Sequence, residues 1–439
     1  MPYIHLLLNQ EFSGDSAQVV AIARQLTQAE HNVKASEYQD NDPEIVNQLS
    51  SNLKSVPGNE THVLLLSGSH GLDMLKNQAM QSVLEKHSMV IAWGGHQDPG
   101  LTPLADSLQV VGLLKEACAP ALQETFKDKL IATSMIPSTL DKSKVLSALN
   151  EWNTRHEKTP DAIPQWDQGY MGVFLGGDAP QKNKSFLFYG ADEAYEQGKA
   201  FGLEAARKNK MLLVTSGPRI GKFYANSPDL KNPTPRQFKG ESWLDFSELT
   251  EAQKTNPAPD ALPHTAHAPL DPVSKNFLQG IKDSYLPEYQ YRLIDFKFGK
   301  SAYQAMVGAL YQAKDKSEAF YSADSVSYAE LGFTIPATYA FRIGSTNIDH
   351  QQTLKRFIEE LHIVGEAKVT ADGIYRSVID PIKKEHTLVH GPDQDAQKIA
   401  HAIRAALQHV KPQAQAAAAM EKPQGLKAST PTMDLQVAD

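Results

Sequence analysis

A single cysteine, Cys118, is all the thiol that the 439 residues contain. It excludes an internal disulfide and any all-cysteine metal site, and it fits a reducing compartment. Basic blocks are missing too: 43 Lys and Arg stand against 51 Asp and Glu, a formal charge of −8. Non-specific binding to nucleic acid or to an anionic membrane is disfavoured on that balance. No apolar run approaches the roughly eighteen residues that a membrane-spanning helix needs. Residues 2–9 are too short and lack the basic flank of a signal peptide, so they are expected to form a buried strand. With 41% hydrophobic and 21% charged residues, the composition predicts a soluble globular protein of the cytoplasm. No turn after a predicted strand carries G-x-G-x-x-G or Gly-Lys-Ser/Thr, which weakens dinucleotide-enzyme and NTPase readings.

What is present is alternation. The chain exceeds the length of one ordinary core, and short apolar runs alternate with amphipathic stretches, the pattern of parallel α/β domains. Strands are predicted at 4–8, 32–37, 63–67, 90–93, 108–113 and 130–132, with helices at 16–29, 43–53 and 142–156. A polar, Pro-bearing stretch at 157–165 separates this from a second series. There, strands are expected at 170–175, 211–215, 291–296, 319–323 and 338–343, and helices at 191–209, 272–284, 302–311, from 327, 351–361 and 394–409. The expected fold is α/β, with two doubly wound Rossmann-like domains (1–160 and 166–405) facing a central cleft. The Pro-rich stretch 222–271 breaks the rhythm as a long insert. From 411 to 439 the Ala/Gln/Pro/Lys-rich composition predicts disorder.

Candidate chemistry gathers at strand ends, because carboxyl ends of parallel strands converge on the crevice of such sheets. Gly14-x-x-x-Gln18 follows the first strand, where glycine permits a tight turn and Ser13 or Asp15 a helix cap. Ser67-Gly-Ser-His-Gly71 and Gly94-Gly-His-Gln-Asp98 close two more strands, making His70, His96 and Asp98 candidate general bases. In the second series Gly176-Gly177-Asp178 and Thr215-Ser-Gly-Pro-Arg219 are tight turns whose N–H groups, with Arg219, suit a phosphate. Ala323-Asp-Ser-Val-Ser-Tyr-Ala-Glu330 crowds three hydroxyls and two carboxylates into a strand-to-helix junction, a setting that favours an anionic ligand. Asp40-Asn-Asp42 and Asp393-Gln-Asp395 have the form of metal-binding triplets, yet each opens a predicted helix, where Asp is a routine cap. His264-x-x-His267 lacks the further ligands of a zinc site.

Taken in order, these turns resemble the glycosyltransferase family related to the plant "elongated mitochondria" fission factor, a mitochondrial-fission-protein-like family also found in bacteria. Gly14 to Gln18 is similar to its Gly-x-x-x-Gln turn, His96 and Asp98 to its His-Asp element, and Gly176-Gly177 to its Gly-Gly turn. Thr215, Ser216 and Arg219 approximate its Thr-Ser-Arg turn, and Asp324-Ser-Val-Ser327 with Glu330 matches its most specific motif. Ser301-Ala302 stands where the family has Asn-Pro, and the 222–271 insert has no counterpart. The resemblance covers 1–220 and 290–405 and implies the GT-B layout, with a nucleotide-diphosphate sugar as substrate and neither cofactor nor metal. It implies that Ser325, Ser327 and the backbone after Asp324 take the pyrophosphate and that Glu330 takes the ribose hydroxyls. Gly176, Gly177 and Ser216 would line that pocket, with Arg219 balancing the diphosphate. Asp98, His96 or His70, in that order, would accept the proton of an unknown acceptor, protein or glycan, in an inverting displacement. Two other readings stay open. One is an idle interaction protein, or an effector secreted into a host cell, docking through the insert and tail. The other is a nucleotide-sugar hydrolase or epimerase.

Overall fold

The computed structural model describes residues 2–9, 13–27, 32–38, 44–56, 60–138, 140, 142–177, 179–180, 186–187, 189–220, 272–294, 302–323, 328–342, 348–380, 382–384 and 391–410. The insert 222–271, the triplet at Asp40 and Asp42, the pair His264 and His267, and the tail 411–439 lie outside the described residues, as do Asp178, Asp324, Ser325 and Ser327.

The amino-terminal half runs β1 (Tyr3–Asn9), α1 (Ser13–Leu26), β2 (Val33–Tyr38), α2 (Ile45–Lys54), β3 (His62–Ser67), α3 (Gly68–Lys76), α4 (Gln78–Leu84), β4 (Met89–Gly95), β5 (Val110–Leu114), α5 (Pro120–Phe126) and β6 (Leu130–Thr133). Its six strands lie in the order β2-β1-β3-β4-β5-β6, all parallel. Unbroken apolar runs such as Val63–Leu66 suit this arrangement, because both faces of a parallel sheet are covered by helices. Successive residues point to opposite faces. Leu7, Leu64 and Leu66 therefore pack with Ile45, Leu49 and Leu53 of α2, while Ile4, Leu6, Leu8, Val63 and Leu65 pack under Val19 and Ile22 of α1.

The second half runs α6 (Lys142–His156), β7 (Tyr170–Gly177), β8 (Ala179–Pro180), β9 (Phe186–Leu187), α7 (Ala191–Lys208), β10 (Met211–Arg219), α8 (Pro272–Asp283), β11 (Tyr291–Ile294), α9 (Tyr303–Gln312), β12 (Glu318–Ser322), α10 (Tyr328–Thr334), β13 (Thr338–Phe341), α11 (Ile348–Glu359), β14 (Gly365–Thr370), β15 (Gly373–Arg376) and α12 (Pro392–Leu407). The seven-stranded sheet has the order β11-β10-β7-β12-β13-β14-β15, and β8 pairs with β9 apart from it. Only the β14–β15 pair of the large sheet is antiparallel. Helix α7 stops where Asn209 turns left-handed at φ 50° and its N–H bonds back to Ala205 and Ala206, a C-terminal cap open to Asn.

Two helices pack on the sheet that their sequence neighbours do not build. Val145, Leu149 and Trp152 of α6 join the core of the second sheet with Met306, Val307 and Leu310 of α9. Conversely, Ile399 and Ile403 of α12 join Ile4, Leu6 and Val110 under the first sheet. By packing, therefore, α6 belongs with the second sheet and α12 with the first, so the stretch 157–165 does not separate two self-contained cores. Glycines permit both approaches: a Cβ on Gly308 would land on the Val145 carbonyl, and one on Gly112 would strike the Ile399 side chain.

The hairpin β14–β15, absent from the sequence expectation, is held by a buried ion cluster. Arg376 reaches Glu204 and Glu318, each at 2.9 Å, and Glu318 also meets Lys208 at 2.9 Å and Lys210 at 3.2 Å. Burial pushes Glu204 up, but Arg207, Arg376 and Lys208 outweigh it and bring the carboxyl to about 2. In the first half, His5 Nε2 and His62 Nδ1 share a hydrogen bond of 3.0 Å between β1 and β3, with the His87 ring edge-on to His62 at 5.3 Å. Burial, then the neighbouring His62, His87 and Lys34, lowers His5 to about 3; burial and then His87 lower His62 to about 4.

Replacing Gly308 by Ala should force α6 away from α9 and cost about 1–3 kcal/mol, read as a lower urea midpoint with far-UV ellipticity unchanged; an unmoved midpoint would mean the two helices have slack. The histidines add an acid limit. Unfolded, they titrate near 6.5, so the unfolded chain takes up protons first as pH falls. Their contribution is complete above pH 6.5 and is lost as pH falls from 6.5 toward 4. The double variant His5→Leu, His62→Leu should flatten that part of the stability–pH curve, and an equally steep curve would place the acid sensitivity elsewhere.

Candidate functional site

In each sheet the strand order reverses once beside a central strand, and the crevice at that reversal is where α/β sheets hold ligands. The first reversal lies between β1 and β3. The Ser16 hydroxyl donates to the Asn9 carbonyl at 2.9 Å, and the Ser67 hydroxyl to the Asp15 carbonyl at 2.6 Å. Gly68, at φ 68°, begins α3 directly, so the segment expected as a turn is already helix, with His70 in its first turn. A side chain at 68 would collide with the Asp15 carboxylate, and the Trp93 indole N–H holds the Gly68 carbonyl at 2.9 Å. Gly14 is exposed. Gln18 is buried, and its Oε1 has no hydrogen-bond partner among the described residues.

These contacts bring the first turn of α1, where Gly14 to Gln18 is helix rather than the expected turn, the start of α3 and the end of β4 to one edge. His70 and His96 are both half-buried there. Asp98 is exposed, and its Oδ1 accepts the N–H groups of Gly100 and Leu101, each at 2.8 Å. One oxygen of the leading base candidate therefore builds a loop, a routine use of Asp.

The second reversal lies between β7 and β12. The Gly176 N–H donates to the Ser322 hydroxyl at 2.6 Å in a buried bond, and Gly177 follows at φ 114°, a conformation that glycine adopts without strain. Ser216 is buried alongside, and Thr215 Oγ1 is buried without a partner among the described residues. The β10 register shifts between Ser216 and Arg219, which pairs with Gly177; such bulges re-aim a strand end. The structure thus joins Gly176, Gly177 and Ser216, adds Ser322, and places the Arg219 backbone beside them.

Glu330, in the first turn of α10, is partly exposed, with its carboxyl between two hydroxyls. Ser138 donates to Oε1, and the Tyr303 hydroxyl favours the same carboxylate. Burial pushes the carboxyl up to about 7, against the pull of the Ser138 and Tyr303 hydroxyls. Tyr303 comes from α9, its ring edge-on to Phe174 of β7 at 5.3 Å. At the other end of α10, the buried Lys384 ammonium donates to the carbonyls of Ile335, Pro336 and Ile363 at 3.1, 2.6 and 3.0 Å, and burial lowers it to about 7.

Ser138 belongs to the chain that leaves β6 for the second half, and that segment is gripped at two further points. Asp395 Oδ2 accepts the N–H groups of Ser134 and Met135 at 3.0 and 2.7 Å, with Lys398 on Oδ1 at 2.8 Å. Arg356 donates to the Ser134 carbonyl at 2.7 Å and pairs with Glu116, which follows β5, at 2.7 Å. The Asp393-Gln-Asp395 triplet was read as a helix-start cap, and Asp395 does satisfy free amides, but those of the crossing segment rather than of its own helix. Among the described residues no group of three or more His, Cys, Asp or Glu is placed to hold a metal ion, and no helix is long and apolar enough to cross a membrane.

No family model and no curated protein matches the chain. Among solved structures, it is similar to a glycosyltransferase from Rickettsia africae ESF-5, at a TM-score of 0.39 and 9% identity, over 93% of this chain and 94% of that one.

Glu330 gives a pH signature opposite to that of the histidines. Its carboxyl titrates near 4.5 when unfolded and about 7 when folded, so its share of stability is complete below pH 4.5 and is lost as pH rises to 7. Glu330→Gln keeps an acceptor for both hydroxyls without the charge. It should be more stable than the parent at pH 8 by about 2 kcal/mol and nearly equal at pH 5; a variant less stable at pH 8 would show that the carboxylate is not desolvated.

Proposed function

We propose that the chain is a glycosyltransferase of GT-B layout that uses a nucleotide-diphosphate sugar and works by inverting displacement. The observation that carries this reading is the Gly176–Ser322 contact with Gly177 at positive φ. It fixes the turn at the reversal point of the second sheet, and with no side chain at 176 or 177 a phosphate can approach the main chain there without steric cost. In this proposal Gly176, Gly177 and Ser216 line the donor pocket, and Ser325, Ser327 and the backbone after Asp324 take the pyrophosphate. Arg219 balances its charge, and Glu330 accepts the ribose hydroxyls. The Asp393–Asp395 triplet is already engaged, through Asp395, on amides of the crossing segment, so diphosphate charge falls to N–H groups and Arg219.

The acceptor lies against the first half, beside Gly14 and Gln18. Its hydroxyl oxygen attacks the anomeric carbon from the face opposite the diphosphate. The carbon–oxygen bond to the diphosphate breaks, and the hydroxyl proton passes to Asp98, His96 or His70. Since Asp98 Oδ1 is engaged by two amides, the histidines gain weight beside it.

A thermal-shift series with millimolar UDP-, GDP-, ADP- and CMP-sugars tests this. One nucleotide class should raise the midpoint selectively, by the few degrees that correspond to about 2–3 kcal/mol at a hundredfold excess over Kd. Glu330→Ala should weaken that ligand at least tenfold, about 1.4 kcal/mol, with the fold intact. No response to any of the four classes would remove the transferase reading.

A further inference from the structure

The carboxyl of Glu330 meets its two hydroxyls as it would meet a ligand. Ser138 presents an O–H donor to the carboxyl from one element, and the Tyr303 hydroxyl stabilises the same carboxylate from another; a ribose presents hydroxyl donors in the same chemical form. Tyr303 is fixed, because it sits on α9 and its ring rests on Phe174. Ser138 is on the crossing segment, so its position depends on how the two halves are joined. Its Oγ also accepts the Leu140 N–H at 3.0 Å, which turns the hydroxyl proton toward Glu330.

We propose that Ser138 is a positioning residue of the nucleotide site: it orients the Glu330 carboxyl in the empty protein and yields its place to a ribose hydroxyl when a nucleotide binds. The proposal rests on the assignment of Glu330 to the ribose. It adds a residue from the first half to a site otherwise built by the second, and it links nucleotide binding to the crossing segment. Asp395 and Arg356 keep Ser134 and Met135 in place, so the change begins beyond Met135. A carboxyl pushed up to about 7 suits this role, since it accepts a hydroxyl in either protonation state.

The full-length protein, with the Ser138→Ala and Ser138→Thr variants, is titrated calorimetrically with UDP, GDP and ADP and their 2′-deoxy forms. Removing the competing hydroxyl should tighten the preferred ribonucleotide about fivefold, the worth of one net hydrogen bond, and widen the ribose-to-deoxyribose ratio. Threonine, which retains the hydroxyl, should restore both values. Hydrogen exchange at the Leu140 amide should quicken when nucleotide is added to the parent and be fast already in the alanine variant. Binding that is unchanged or weaker in Ser138→Ala, with an unaltered ribose-to-deoxyribose ratio, overturns the role of Ser138 and leaves the transferase reading standing. Absence of binding by all six nucleotides, to parent and variants alike, overturns the assignment of Glu330 and this proposal with it.

Discussion

The chain between β6 and α6 is a strip of backbone held by charged side chains from the far half of the molecule. Asp395 takes two of its amides, Arg356 takes a carbonyl while pairing with Glu116, and Glu330 takes the Ser138 hydroxyl. Each of these groups is buried to a degree that makes an unpaired charge costly. The crossing segment therefore gives backbone and hydroxyl partners to side chains of the second half, with Lys398 and Glu116 balancing the charges of Asp395 and Arg356. With α6 and α12 each packed on the opposite sheet, the two halves hold each other in a fixed relation.

That relation decides what the strand ends do. Glycines stand at both reversal points, Gly68 where Asp15 and Trp93 close on the backbone and Gly176-Gly177 where Ser322 does, the small residues that close approach to the backbone requires. Among the candidate residues, Glu330 is tied directly to the segment joining the halves. Helix α10, which carries it, is a short element with an ionisable group buried at each end, Glu330 toward Ser138 and Lys384 among three carbonyls. Burial moves both toward neutral charge.

Much of the sheet architecture was legible because buried parallel strands need unbroken apolar runs, and Leu6–Leu8, Val63–Leu66 and Val90–Trp93 supply them. The β14–β15 hairpin was missed, although Asp372-Gly373 is a strong short-range hairpin signal. Its strands, Gly-Glu-Ala-Lys-Val-Thr and Gly-Ile-Tyr-Arg, carry too little apolar character to stand out, and the Arg376 ion cluster does the holding. Within the candidate site, Gly176, Gly177, Gln18 and Glu330 were visible as strand-end residues. Tyr303 was visible as the residue after Ser301-Ala302, where the resembled family has Asn-Pro-Tyr; Ser138 was not, because it belongs to no local pattern and lies 192 residues from Glu330. Asp98 looked like half of a His-Asp pair, yet Oδ1 serves its own loop, a use that only the hydrogen bonds reveal.

The sequence by itself determined the elements: local periodicity sets which residues are strand or helix, and glycine placement sets where strands may turn. Which sheet each helix covers, and which side chains meet across the crossing segment, was decided by tertiary packing alone. The physical reason is that burial of apolar faces is non-directional, so α6 and α12 carry no mark of the sheet they join. A carboxylate such as Asp395 or Glu330 likewise acquires its partner only when distant backbone and hydroxyl groups are brought within hydrogen-bond reach.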